Sequence, residues 1–189
     1  MLGMFLPVVR QSLREPREAA STLLSMGVPK QVLWPAFALL IVLPVILIFV
    51  TEPPTGPNGE VLVSPFALTL ASAIVSVASV YLTWKIGVLM GGSGGFDETL
   101  LLTVFIQGIV FGGQLIEFAI VLIIPPFAGI YYVALVAFIF WLYLNFIAVL
   151  HGFNSLWRAF GVLLFASIAV AIVFIFVLSL AAIRIAGAA

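Results

Sequence analysis

Five long apolar runs constrain the fold of this 189-residue chain more than any other feature of its sequence. An α-helix rises about 1.5 Å per residue, so each run can cross a hydrocarbon core of about 30 Å. A soluble domain could not cover five such helices, because 65% of the residues are hydrophobic and only 7% are charged. The sequence therefore predicts an all-α integral membrane bundle of five transmembrane helices. The runs are residues 32–50, 66–84, 99–124, 130–150 and 159–183.

Positively charged residues lie almost entirely on one side of the predicted bundle. If the N-terminus is cytoplasmic, six of the seven Lys and Arg residues fall in cytoplasmic segments, and only Arg184 falls on the opposite side. Cytoplasmic segments of membrane proteins carry an excess of these residues. We therefore expect a multi-pass protein of the cell membrane, with five spans in residues 31–184 and a short C-terminal tail, residues 185–189, on the far side.

The segment before the first run, residues 1–30, is predicted to be a cytoplasmic amphipathic leader. Its apolar residues recur at helical spacing, and a second helix is expected to begin at Pro16 and to end at Gly27. We expect the leader to lie in the membrane interface with its arginines toward anionic lipid headgroups. A disordered basic tail is the alternative. The candidate headgroup contacts are Arg10, Arg14 and Arg17.

Small hydroxyl residues occupy one face of the second run. Such residues let helix backbones approach closely and can form hydrogen bonds between helices in lipid. The pattern predicts a helix-packing seam, and a polar path for a solute is the alternative. The residues that we assign to this face are Ser72, Ser76, Ser79 and Thr83.

The third run carries a polar stripe beside a set of glycines. Glutamine facing lipid is unfavourable, so we expect the stripe to face other helices and to form a polar seam with the second helix. The glycines offer a surface for close helix packing on a neighbouring face. The stripe is Thr103, Gln107, Gln114 and Glu117, and the glycines are Gly108, Gly112 and Gly113.

Glu117 is the one acidic residue in the interior of an apolar run. An ionised carboxylate at the centre of a membrane is unfavourable by roughly 2.5 to 3.5 kcal/mol, which makes such a residue a candidate functional site. Tyr131 or Tyr132 at the start of the next run could be its partner. In the alternative, the helix ends near Ile116 and Glu117 only touches the outer interface.

Residues suited to catalysis or to metal binding do not form a recognisable group in the sequence. The chain has no cysteine and a single histidine, His151, with no acidic residue near it at metal-ligand spacing. The glycine-rich segment 91–95 lacks the Lys and Ser or Thr of a phosphate-binding loop, so we expect a flexible linker, with Asp97 capping the next helix. We expect no catalytic site, no metal and no cofactor.

The order of these elements resembles the Yip (Ypt-interacting protein) domain family. The resemblance rests on residues 13–19 (LREPREA), on the glycine-rich loop and on residues 151–159 (HGFNSLWRA), and it covers about residues 10–184. It implies a five-helix bundle with a cytoplasmic N-terminus and, in eukaryotic members, binding of prenylated Rab GTPases and partner membrane proteins. The leader here lacks the long polar N-terminal region of those members. The chain is therefore more similar to compact bacterial-type members, and GTPase binding is doubtful.

Two functions remain open from the sequence. The first is a non-enzymatic membrane protein that organises or scaffolds membrane assemblies, as an accessory subunit or a homo-oligomer. Its partners would be membrane lipids and other membrane proteins or itself, and no nucleic acid. The second is a small transporter or channel that uses the polar seam between the second and third helices.

Overall fold

The computed structural model describes residues 2–186, with side-chain surroundings given for residues 5–176 and 179. This part of the chain contains seven α-helices, numbered in chain order, and a 3-10 turn at Pro125–Phe127. The leader forms two of these helices, α1 (Leu2–Ser12) and α2 (Pro16–Ser25). The five longer helices are α3 (Lys30–Thr51), α4 (Pro65–Leu89), α5 (Phe96–Ile123), α6 (Ala128–Leu150) and α7 (Leu156–Ala186).

Helices α3 to α7 are long and apolar enough to cross a membrane, with mean hydropathy between 1.9 and 2.8. They coincide with the five apolar runs, so the predicted all-helical bundle with five candidate spans is confirmed for the described residues. The protein is a multi-pass membrane protein. Because α7 continues to Ala186, the first two residues of the predicted tail are helical, and residues 187–189 lie outside the described residues.

Both predicted leader helices are present, which excludes the disordered alternative for residues 2–25. The second begins at Pro16 and is followed by Gly27 with φ of 57°, as the sequence predicts. The leader also packs under the bundle. Ala20 and Leu23 are 0% exposed on α2, which contacts α5 and α6. We call this end of the bundle the leader side and the opposite end the far side.

The buried core is concentrated in the leader-side half of the bundle. Leu100 and Ile106 on α5 are at most 1% exposed, as are Leu142 and Phe146 on α6. On the far side, by contrast, apolar side chains such as that of Leu122 are exposed. Lipid tails are as apolar as these side chains, so a bilayer does not force the far half to close.

The start of α5 differs from the sequence prediction. Asp97 was expected to cap this helix, but the backbone N–H of Gly95 donates to Glu98 Oε2 at 2.8 Å. Asp97 Oδ2 lies 2.6 Å from Lys30 Nζ at the start of α3. The cap prediction was wrong because α5 begins two residues earlier than a cap at Asp97 requires, at Phe96, which makes Gly95 the cap position. Through this ion pair, Asp97 connects α5 with α3 on the leader side.

The long helices differ in which other helices they contact. α5 contacts α3, α4 and α6, whereas α7 packs between α4 and α6. The second and third spans, α4 and α5, are therefore in contact as the predicted seam requires. However, α4 packs more extensively against α7 than against α5.

Candidate functional site

One cavity is an apolar groove between the leader and helices α3, α5 and α6. It has a volume of about 800 Å³. It extends from the leader side, where Leu13 and Val28 line it, to the far half, where Ile116 and Tyr131 do. The lining is almost entirely hydrocarbon, so the occupant that fits it chemically is another apolar surface. We refer to this cavity as the apolar groove.

The three glycines of α5 that the sequence groups together divide into two kinds in the structure. A Cβ added at Gly113 would lie 2.7 Å from Leu135 Cδ1, so this glycine packs directly against the Leu135 side chain of α6. A Cβ added at Gly108 or Gly112 would meet nothing within 4 Å. These two line the apolar groove and provide no close packing within the described chain.

The second cavity, of about 500 Å³, lies between α5, α6 and α7. Gln114 and Glu117 contribute polar groups to its wall from α5, and Tyr132, Tyr143 and Ser167 contribute others. Glu117 is half-buried and lies within α5, which continues to Ile123. The alternative in which the helix ends near Ile116 is therefore wrong. We refer to this cavity as the acidic cavity.

The polar stripe of α5 does not follow one seam along its whole length. Thr103 is buried and donates to the backbone oxygen of Thr99 at 2.8 Å, within its own helix. The side-chain oxygen of Gln107 is buried and accepts no hydrogen bond from the described residues. Farther along, Gln114 and Glu117 face α6 and α7 in the acidic cavity, whose lining includes no residue of α4.

The hydroxyl face of α4 is half-buried along its length. These hydroxyls lie at intermediate exposure, and Ser79 donates within its own helix to the backbone oxygen of Val75 at 2.8 Å. A hydroxyl bonded in this way needs no partner on another helix. The predicted seam therefore remains a prediction for the half-buried residues Ser72, Ser76, Ser79 and Thr83.

The three arginines proposed to contact lipid headgroups are exposed, but they have different surroundings. Arg17 Nε donates to Asn145 Oδ1 on α6 at 3.3 Å. Asn145 is buried, and its amide nitrogen donates to the backbone oxygen of Trp141 at 2.8 Å. Arg17 thus joins the leader to the bundle, whereas Arg10 and Arg14 stay available for headgroup contact.

A buried histidine on the leader side is the feature that sequence reasoning missed. His151 is 2% exposed, and its ring stacks on Phe153 with centroids 5.5 Å apart. A Cβ at Gly87 or Gly92 would overlap the ring. Within segment 91–95, Gly92 and Gly94 pack on His151, and the Ser93 N–H donates to the His151 backbone oxygen at 3.3 Å. The prediction of this segment as a flexible linker was therefore wrong. The sequence signal was the position of a glycine-rich segment and a lone histidine in two loops on the same side.

Neither ring nitrogen of His151, Nδ1 or Nε2, makes a hydrogen bond of good geometry with a described residue. Burial lowers the pKa of His151, and the backbone of Thr83 and the carboxylate of Glu98 oppose this effect. Burial disfavours the charged imidazolium, so the balance of these effects favours the neutral ring. Across the described residues, no three His, Cys, Asp or Glu side chains lie together in an arrangement that could hold a metal ion.

Five apolar helices joined by short loops define the chain as a helical multi-pass membrane protein. The sequence model of the Yip1 domain family matches residues 10–178, and the chain belongs to this family. The resemblance drawn from the sequence is thereby confirmed. No curated protein and no solved structure matches the chain.

Proposed function

We propose that the protein is a non-enzymatic organiser of membrane assemblies that binds a transmembrane helix in its apolar groove. The helix belongs to another membrane protein or to a second copy of the chain. The observation that carries the proposal is the open space at Gly108 and Gly112, next to a groove of about 800 Å³.

The physical reason lies in how helices associate in lipid. The hydrophobic effect does not drive two helices together there, so association depends on close packing, and small residues make close packing possible. Gly108 and Gly112 are four residues apart and therefore lie on the same face of α5. A glycine inside a helix is less favourable than alanine by about 0.5 to 1 kcal/mol. No contact within the described chain explains that cost at these two positions.

The test of this proposal uses leucine substitutions at the groove. Gly108→Leu and Gly112→Leu should leave the fold intact, because their side chains enter open space, and should abolish association with a partner helix. Association is measured by recovery of a differently tagged copy, and of co-purifying membrane proteins, from native membranes. Gly129→Leu is the matched control, because Gly129 is also helical and open but does not line the groove. Equal recovery with all three variants would rule out the groove as the binding surface.

We further propose that the leader side faces the cytoplasm and that the protein lies in the cell membrane. Six of the seven Lys and Arg residues fall on the leader side by sequence, which supports this orientation. The chain has no cysteine, so single cysteines can report the orientation without further changes. A membrane-impermeant maleimide should label intact cells at Asn58→Cys and not at Ser21→Cys. The opposite pattern would reverse the orientation.

The acidic cavity supports transport as a second candidate function. It places Glu117 and Gln114 in one wall, and these are groups that a permeating solute could contact. Glu117→Gln should then abolish a solute or proton flux into reconstituted vesicles. Vesicles that contain the wild-type protein and show no flux above the protein-free background would exclude this function.

A further inference from the structure

The acidic cavity holds a carboxylate that has no basic neighbour. None of the described residues that line this cavity is Lys, Arg or His. Glu117 lies six residues before the end of α5, which is about 9 Å of helix inside that end. A carboxylate at this depth is unfavourable unless it is paired. The cavity therefore lacks a positive charge.

A second acceptor in the same wall also lacks a partner. The side-chain oxygen of Gln114 is buried and accepts no hydrogen bond from the described part of the chain. Gln114 and Glu117 are three residues apart in α5 and lie on the same face. A buried acceptor without a donor is costly. Once the Gln114 amide turns toward the cavity, a ligand with several N–H donors satisfies both groups at once.

The remaining wall favours an organic cation over a metal ion. A hard metal ion such as Ca²⁺ needs six to eight oxygen ligands, which a wall of mostly apolar side chains does not supply. Tyr132, Tyr143 and Phe140 are among the lining residues, and aromatic rings attract organic ammonium ions through their faces. A volume of about 500 Å³ suits a small organic ligand.

We propose that the acidic cavity is a binding site for an organic ammonium ion. The ammonium group donates to Glu117 and Gln114, and the carbon part packs against the aromatic and aliphatic wall. The same chemistry is offered by a free alkylamine and by the ammonium headgroup of phosphatidylethanolamine. This site is separate from the apolar groove, and it does not depend on the function proposed for the groove.

The first test measures the melting temperature of the purified protein in a nonionic detergent against increasing butylammonium chloride. Sodium chloride at the same ionic strength and butanol are the controls for charge and for the alkyl chain. The wild type should be stabilised saturably by butylammonium alone. In Glu117→Gln, the apparent affinity should fall by about tenfold or more, because a buried charge loses its partner. Glu52→Gln removes an exposed carboxylate outside the cavity and should respond like the wild type.

A second variant covers the case in which Glu117→Gln does not fold. Ser167→Phe places a ring in the cavity from α7 and keeps the carboxylate, so it should also abolish the response to butylammonium. The lipid source is tested in nanodiscs of phosphatidylethanolamine and phosphatidylglycerol, with bound lipid identified by native mass spectrometry. The wild type should retain phosphatidylethanolamine, and both cavity variants should lose it.

The two experiments separate the possible sources of the ligand. A response to butylammonium without retained phosphatidylethanolamine identifies a soluble amine, and the reverse identifies the lipid headgroup. Both results together show that the site accepts either source. Stabilisation by sodium chloride or butanol equal to that by butylammonium, or the absence of both responses, would overturn the proposal.

Discussion

The earlier and later parts of α5 have different surroundings. In its first half, Leu100 and Ile106 are buried against the leader and the neighbouring helices. From the middle of the helix onward, Gly108 and Gly112 face open space, and Glu117 faces a cavity. A single helix therefore supplies the core on the leader side and two candidate binding surfaces nearer the far side. Stability and binding should respond to different substitutions along its length.

The same division holds for the whole bundle. The leader side is closed by α2, by the ion pair of Lys30 with Asp97 and by the glycine loop around His151. The far half exposes apolar side chains that only lipid or a partner can cover. The predictions below test this contrast, from the largest expected effect to the smallest.

Truncation of a leader core residue should have the largest effect on stability. Leu23→Ala should lower the free energy of unfolding by about 2 to 5 kcal/mol, because Leu23 is fully buried and its removal leaves a cavity. Leu122→Ala is the matched control on the far side, and it should change the free energy of unfolding by less than about 0.5 kcal/mol. The measurement is unfolding by a denaturing detergent, followed by tryptophan fluorescence. Similar losses for both variants would contradict the contrast between the halves.

Alanine substitutions should separate the two kinds of glycine in α5. Gly113→Ala should destabilise the protein by about 1 to 3 kcal/mol, because its Cβ would collide with Leu135. Gly108→Ala should stabilise the isolated protein by up to about 1 kcal/mol, because its Cβ enters open space. Thermal unfolding of the purified variants measures both effects. A destabilising Gly108→Ala would show that this glycine packs within the chain.

Acidification should weaken the leader side through His151. Burial lowers the pKa of His151 in the folded state, so below about pH 6.5 the unfolded chain binds the proton more readily. The stability contributed by the neutral ring is therefore present at pH 8 and is lost as the pH falls through about 6.5. His151→Phe should reduce the difference in melting temperature between pH 8 and pH 5.5. An unchanged difference would mean that His151 does not contribute to the pH dependence.

Loss of the leader-side ion pair should have the smallest effect. Lys30 and Asp97 are 69% and 45% exposed, so water and salt screen their attraction. Lys30→Ala should lower the free energy of unfolding by no more than about 0.5 kcal/mol at low salt, and by less at 0.5 M salt. Asp97→Ala should behave in the same way. A loss that persists at high salt would indicate a packing role for either side chain.

The five long helices could be predicted from the sequence, because an apolar run of about 20 residues is typical of a membrane span. Pro16 and Gly27 likewise define α2 by local backbone chemistry. Tertiary placement could not be predicted in the same way. Gly108 and Gly113 are indistinguishable in sequence, and only the position of Leu135 separates them.

The packing of the glycine-rich segment 91–95 could not be predicted from local sequence either. Segment 91–95 has the composition of a linker, but Gly92 packs on His151, which lies almost 60 residues later. Composition reports how freely a backbone can move, and not what it contacts. The partner of Asp97 posed the same difficulty, since Lys30 belongs to another helix.

Site-specific cross-linking tests the central claim, that the apolar groove is an association surface, most directly. Because the chain has no cysteine, a single cysteine at Gly108, Gly112, Gly129 or Ile172 can be treated with a short bifunctional maleimide in native membranes. The account predicts a cross-linked species, either a dimer of the 20.3-kDa chain or an adduct with one defined membrane protein, at positions 108 and 112. It predicts none at positions 129 and 172, which are exposed but lie outside the groove. Equal cross-linking at all four positions, or none at 108 and 112, would contradict it.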